Sequence, residues 1–376
     1  PLLYFTAHYH AAGSGVMITA SHNPAGYNGL KITLGGEVLH GEGIQGLRRR
    51  IEQNDLVEGA GSSLPIDVAD SYLRRICSEI RLERPLKVVV DAGNGMAGEL
   101  APRLFRRLGC EVHELHCQID GRFPNHHPDP TELDNLQDLI AAVKERGADL
   151  GFAFDGDGDR IGVVDSSGKV IWPDRLLMLL AIDVLAHNPG ATILFDIKCT
   201  GNLYGVIERH GGRPLMWRTG HSVVRSKMHQ ERALLAGELT GHLFFADRWF
   251  GVDDALYGGA RLLELLARSP DSTAEQFSVL PDAVNTQEFK IPVTGEPHHL
   301  LMERLLARAR FPDARPVTLD GLRLEFPSGW ALLRASNTTP TLGVRFEASD
   351  QRELELIQKR IRGLILSEAP HLTLPF

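Results

Sequence analysis

Through the first two-thirds of the chain, short apolar runs rich in β-branched residues alternate with stretches whose apolar positions recur at helical spacing. Runs at 15–19 (GVMIT), 86–91 (LKVVVD), 110–116 and 150–154 (LGFAF) predict strands. A glycine-rich turn after 91 leads into a predicted helix over 97–108. Leu133, Leu136, Leu139, Ile140 and Val143 predict a helix across 131–146. The rhythm repeats with a helix at 176–185 and strands at 192–197 and 215–217. Such alternation predicts an α/β fold with largely parallel sheets. Beyond about 282 the order changes. A strand at 288–293, a helix near 299–308, strands near 322–326, 331–334 and 343–346, and a helix at 352–366 predict a smaller α+β domain. The chain divides on this reading into 1–66, 67–169, 170–281 and 282–376. It opens on Pro1-Leu2-Leu3-Tyr4-Phe5, apolar from the first residue, as though inside an element.

Composition narrows the functional classes. Its 376 residues are 43% hydrophobic and 7% aromatic, as in an ordinary globular protein and unlike a disordered one. A net charge of -8 speaks against a nucleic-acid partner, which calls for a basic face. An acidic chain that binds an anionic substrate must therefore gather its cations in one cleft. Cys77, Cys110, Cys117 and Cys199 show no CxxC spacing and read as free thiols of a cytoplasmic protein. No apolar run reaches the ~18 residues of a membrane span, and no secretory signal is visible.

Four polar segments carry the candidate chemistry. In Asp155-Gly-Asp157-Gly-Asp159-Arg160, three carboxylates at every second position let a sharp loop converge on one hard cation, Mg²⁺ or Ca²⁺. An EF-hand does not fit, because its sixth residue would be Arg160 and its twelfth Ser166. Thr19-Ala-Ser21-His22-Asn23-Pro24 pairs a hydroxyl with an imidazole directly after a strand. It reads equally as a nucleophile loop or as a capping turn, and the GxSxG elbow is absent. Gly237-Glu238-Leu239-Thr240-Gly241-His242 offers groups that could grip sugar hydroxyls, and Arg334-Ala335-Ser336-Asn337-Thr338-Thr339-Pro340 suits a phosphate dianion. Either could also be an ordinary surface turn. Two further segments invite rival readings. Gly93-Asn-Gly95-Met-Ala-Gly98 matches a dinucleotide fingerprint, but the same glycines serve tight strand-to-helix packing. Asn125-His126-His127-Pro128-Asp129-Pro130 lacks a third nitrogen or sulfur ligand and reads as a polar turn near the cleft.

Taken together and in order, TASHNP, DGDGDR, GELTGH and RASNTTP, with FDIKCT and WRTGH between the second and third, resemble the α-D-phosphohexomutase family, bacterial phosphomannomutase/phosphoglucomutase group. The resemblance covers the whole chain. It implies a four-domain α/β architecture around a central cleft, with three mixed-sheet α/β domains, the first N-terminally truncated, and a C-terminal α+β domain. By the same resemblance Ser21 is the phosphoserine, and Asp155, Asp157 and Asp159 hold Mg²⁺ with an oxygen on Ser21. His22, Lys31 and His221 are candidates for proton transfer or charge support, and Arg160 and Lys198 are cationic cleft residues. Glu238, Leu239, Thr240, Gly241 and His242 form the sugar loop. Arg334, Ala335, Ser336, Asn337 and Thr338 form the phosphate clamp.

The implied activity interconverts hexose 1- and 6-phosphates of mannose, glucose or both, through a bound 1,6-bisphosphate, with glucose 1,6-bisphosphate as activator and a monomeric enzyme. Phosphoglucosamine mutase and a non-catalytic sugar-phosphate-binding homologue are the alternatives. Two departures stand out. Thr240 replaces the family's usual serine, which keeps the hydroxyl and adds a methyl. The family's opening strand, with its arginine near the phosphoserine, has no counterpart, so an exposed sheet edge is expected in the first domain.

Overall fold

Four sheets organise the chain, and each ends near one of the polar segments. The computed structural model describes residues 1–336 and 339–376. Its first sheet is a three-stranded antiparallel meander of Gly15–Ile18, Leu30–Leu34 and Glu37–Val38. Gly15–Ile18 lies at its edge. Alternation along the strands leaves Val16, Ile18, Leu30 and Leu34 exposed on one face. The opening apolar residues form the helix Leu2–His10, which buries Leu3, Tyr4 and Phe5 against the main core.

The second and third sheets repeat one plan. In the second, Glu111–Leu115, Lys87–Asp91 and Leu150–Phe154 run parallel. The chain then turns back antiparallel through Ile161–Asp165 and Val170–Ile171. In the third, Arg213–Trp217, Thr192–Asp196 and Leu235–Gly237 run parallel before returning through Leu243–Phe245 and Val252–Asp253. The sheets are therefore mixed where the strand–helix rhythm predicts largely parallel ones. Ile161–Asp165 is fully buried and reads like any core strand, so its direction leaves no mark on the sequence. The consequence for function is direct. The turn-back of the second sheet is the Asp155–Arg160 loop, and that of the third is the Glu238–His242 loop.

The C-terminal sheet is antiparallel, with Val284–Asn285, Thr341–Ala348, Gly329–Ala335, Leu322–Phe326 and Arg315–Val317 in order and Phe289–Pro292 also on Thr341–Ala348. Helices His298–Arg308 and Gln351–Glu368 cover it and close a core of its own around Leu301, Val344 and Ile361. It docks on the rest of the molecule through apolar side chains, Trp330 and Leu332 being buried in the main core, and through buried polar groups. Arg323 donates to the carbonyls of Ile197 (2.7 Å) and Cys199 (2.8 Å) and stacks on Trp330. Glu347 accepts from the Gly201 amide at 2.9 Å.

Of the expected elements, 131–146 is a short 3-10 turn, Leu133–Leu136, followed by the helix Gln137–Arg146. The Gly93–Gly98 turn packs rather than binds. The Met96 amide donates to Gly156 O at 2.9 Å, and a Cβ on Gly98 would lie 2.2 Å from Cys117 O. These glycines thus bring the helix Ala97–Arg107 against the cation loop.

Candidate active site

Two loops from different sheets meet at the centre of the site. Arg160 and His242 form an isolated antiparallel bridge, and the Ile161 amide donates to Gly241 O at 3.1 Å. Gly241, at φ +97°, is required here, because a Cβ would press to 2.7 Å from Ile161 O.

The Ser21 loop closes over the acidic loop from the other side. Ser21 Oγ donates to Asp155 Oδ2 at 2.7 Å and lies 3.3 Å from His22 Nδ1. Thr19 Oγ1 accepts from the Ser21 amide (2.9 Å) and donates to Asp157 Oδ2 (2.8 Å), so it ties the two loops together. Ser21 sits at φ +50°, a left-handed conformation that non-glycine residues rarely adopt and that concentrates at functional sites. Behind it a Cβ at Gly156 would lie 2.1 Å from Ser21 O.

Asp155, Asp157 and Asp159 place one oxygen each within 4.8 Å of one another. Asp157 Oδ1 and Asp159 Oδ1 are buried without hydrogen-bond partners among the described residues. Burial, and then the charges of Asp159 and Asp157, push the Asp155 carboxyl well above the usual carboxylate range. An all-oxygen, anionic donor set with unsatisfied buried oxygens fits a hard divalent cation such as Mg²⁺. Lys31 Nζ donates to Asp157 Oδ2 at 2.8 Å and to Asp159 Oδ2. An ammonium that donates to two carboxylates is suited to charge support and not to accepting a proton.

Arg160 links the cluster to the histidines. Its Nε donates to His242 Nε2 at 3.0 Å, and its Nη1 lies 3.4 Å from His22 Nε2. Burial, and then the Arg160 charge, lower the His22 imidazole to about 4. His242 is buried, with Nδ1 3.2 Å from Asp253 Oδ2 and 3.7 Å from Asp159 Oδ1. His221 opens the helix His221–Glu231 and stacks on His242, centroids 5.5 Å apart, its Nδ1 3.5 Å from the same Asp253 oxygen. His242, expected in the sugar loop, therefore belongs equally to the charge network around Ser21.

The remaining loops lie alongside. Glu238 is buried and accepts from the Gly220 amide at 2.6 Å. Leu239 and Thr240 line a cavity of about 410 Å³ with Lys198, Glu288, Lys290 and Arg345. Lys198 Nζ is 3.7 Å from Glu288 Oε2. Arg334 donates to Asp320 Oδ2 at 3.1 Å, and Ser336 O accepts from His298 Nε2 at 2.8 Å. Ala335 ends its strand, while Asn337 and Thr338 lie outside the described residues. The Arg334–Ser336 segment is joined to the Glu238–His242 loop by a relay through Asp320, Thr219 and Asp196. Asp320 Oδ2 also accepts from the Thr219 amide, Thr219 Oγ1 donates to Asp196 Oδ2, and Asp196 Oδ1 accepts from the Leu239 amide.

Sequence reasoning assigned no role to Thr19, Asp196, Thr219, Asp253, Glu288 or Asp320. Thr19, Asp196 and Thr219 stand inside quoted motifs and were within reach. Asp253, Glu288 and Asp320 stand outside them. His126 pairs with buried Asp91 at 3.0 Å, as befits a polar turn.

Profiles of the phosphoglucomutase/phosphomannomutase family match the chain in four consecutive stretches. These are alpha/beta/alpha domain I at residues 1–58, domain II at 70–168, domain III at 172–283 and the C-terminal domain at 293–364. The chain is 52% identical to a phosphomannomutase/phosphoglucomutase of Pseudomonas syringae over all of its length and 81% of that protein's. It is 50% identical to a phosphoglucomutase of Neisseria gonorrhoeae over all of its length and 82% of that protein's. A crystal structure of a phosphoglucomutase/phosphomannomutase family protein from Burkholderia thailandensis superposes with a TM-score of 0.92 at 52% identity, covering 96% of this chain and 78% of the other. Fold and site define a phosphohexomutase, and the chain belongs to the phosphoglucomutase/phosphomannomutase family.

Proposed function

We propose that the protein interconverts the 1-phosphate and 6-phosphate of mannose and glucose by way of a phosphoryl group carried on Ser21. The observation that carries this reading is the position of Ser21 Oγ. It is bonded to Asp155 within the carboxylate trio, with His22 beside it, Arg160 reaching that histidine and Lys31 paired with Asp157 of the same trio. In the first half-reaction the P–O bond to Ser21 breaks as a P–O bond forms to the substrate's free hydroxyl. That hydroxyl's proton passes to a nearby base, and Ser21 takes up a proton as it is released. The bound 1,6-bisphosphate then presents its other phosphoryl group, and the reverse transfer restores phosphoserine.

The chain's own residues supply positioning and charge. Arg160 and Lys31 offset negative charge, Glu238 accepts from sugar hydroxyls, and the Arg334–Ser336 turn grips the non-reacting phosphate. When bound at Asp155, Asp157, Asp159 and Ser21, Mg²⁺ would neutralise charge on the transferred group. Glucose 1,6-bisphosphate would prime Ser21 in the unphosphorylated protein. We place the enzyme, as a monomer, in the cytoplasm, where its free thiols at Cys77, Cys110, Cys117 and Cys199 suit a reducing environment.

Priming gives a test. Incubation with Mg²⁺ and glucose 1,6-bisphosphate should add one phosphoryl group, located on Ser21 by mass spectrometry and absent from Ser21→Ala. Phosphate on another residue, or on none, would contradict the assignment.

A further inference from the structure

Val252–Asp253 is the last strand of the third sheet, and it ends in two adjacent aspartates with different jobs. Asp254 is structural. It caps the helix Ala255–Leu266 by accepting from the Tyr257 amide at 2.9 Å, and it also accepts from Tyr72 Oη (2.8 Å) and Trp249 Nε1 (3.2 Å). Asp253 is 0% exposed and does none of this. Its Oδ2 faces Nδ1 of His242 at 3.2 Å and Nδ1 of His221 at 3.5 Å. Neither of its oxygens completes a hydrogen bond among the described residues, and Nδ1 of each imidazole is likewise without one, so the two approaches are close contacts between groups of complementary charge.

A buried carboxylate without partners is costly, so its retention here needs a reason. The stacked rings provide one. Arg160 Nε–H donates to His242 Nε2 at 3.0 Å, and a nitrogen can accept that bond only if it carries no proton. The proton of the ring must then sit on Nδ1, which is the nitrogen facing Asp253. A carboxylate at that place selects this tautomer and fixes the ring's rotation. Through the ring it also fixes the Arg160 guanidinium, whose Nη1 reaches His22 beside Ser21.

We propose that Asp253 is a positioning residue of the phosphoryl-transfer site, acting through the tautomer and orientation of His242 to aim Arg160 at the Ser21 region. The proposal rests on the mutase reading for its consequence but not for its geometry. Asp253 touches no reacting atom and is no catalytic residue itself. His221 stacks on His242 and faces the same carboxylate oxygen.

The test uses the full chain with Mg²⁺ and has two readouts. Nitrogen-15 NMR of the imidazoles, on the protein without substrate, should show His242 protonated at Nδ1 and bare at Nε2. In Asp253→Asn, whose amide can donate as well as accept, that state should be lost or mixed. This readout stands whether or not turnover is seen, so it fails separately from the mutase reading. In turnover, Asp253→Asn should lower kcat at least about tenfold with KM for the hexose phosphate changed less than about threefold. In a His242→Ala background the same change should have little further effect, because two residues acting as one unit are not additive. A wild-type His242 bearing its proton on Nε2 would overturn the proposal. So would an Asp253→Asn defect that persists undiminished without His242, since that marks a merely structural role.

Discussion

Ser21 holds a left-handed backbone, φ +50°, that costs a non-glycine residue about 1–3 kcal/mol. The neighbouring loop imposes it. Thr19 grips the Ser21 amide, Asp155 takes its hydroxyl, and Gly156 leaves room for its carbonyl. Gly156→Ala places a methyl where only 2.1 Å is free, against backbone that cannot yield cheaply. It should displace the nucleophile by a fraction of an ångström to an ångström and lower kcat by about a hundredfold. KM and melting temperature should move far less. Full activity in that variant would show that the register between the two loops is unimportant.

At this scale the sequence was most and least legible. The Asp–Gly alternation of 155–159 declares its chemistry, because few other roles need three carboxylates on a tight loop. Asp253 declares nothing. In Gly251-Val-Asp253-Asp254-Ala255 the pair reads as a helix cap, and the cap is the second aspartate. Only the return of the strand beside Leu243–Phe245 brings the first one to His242.

Between elements, the decisive feature is that two sheets of the same plan present equivalent turn-back loops to each other. Strands 150–154 and 192–197 were readable from continuous apolar runs. The antiparallel returns were not, because a buried strand looks alike in either direction. Helix Leu2–His10 was missed for a related reason. Its sequence, LLYFTAHYH, has too weak a helical period to separate from a strand.

The docking of the C-terminal sheet depends on Arg323, whose guanidinium satisfies two buried carbonyls and stacks 3.9 Å from Trp330. In Arg323→Leu those carbonyls lose their donors, at about 1–3 kcal/mol each, while relief of a buried charge offsets part of the cost. We expect a net loss of about 2 kcal/mol, seen as a melting temperature a few degrees lower. Hydrogen exchange at residues 197–202 should quicken, with exchange inside the second sheet unchanged. Unaltered exchange at 197–202 would show that the interface does not depend on this residue.

Across the whole molecule, a chain of net charge -8 that takes an anionic substrate needs cations gathered locally. Lys31, Arg160, Lys198 and Arg334 come from four stretches of sequence. Lys31, Lys198 and Arg334 are each paired with a carboxylate, Asp157, Glu288 and Asp320 in turn, and the Arg160 guanidinium lies in the field of Asp155 and Asp159. The Arg334–Ser336 segment of the last sheet is coupled to the Glu238–His242 loop through Asp320, Thr219 and Asp196.

Phosphorus NMR of the purified protein with Mg²⁺, mannose 1-phosphate and a trace of glucose 1,6-bisphosphate tests the account most directly. We predict conversion to mannose 6-phosphate, abolished in Ser21→Ala. A wild-type protein that folds, takes up phosphate on Ser21 and still converts neither mannose nor glucose 1-phosphate would contradict it.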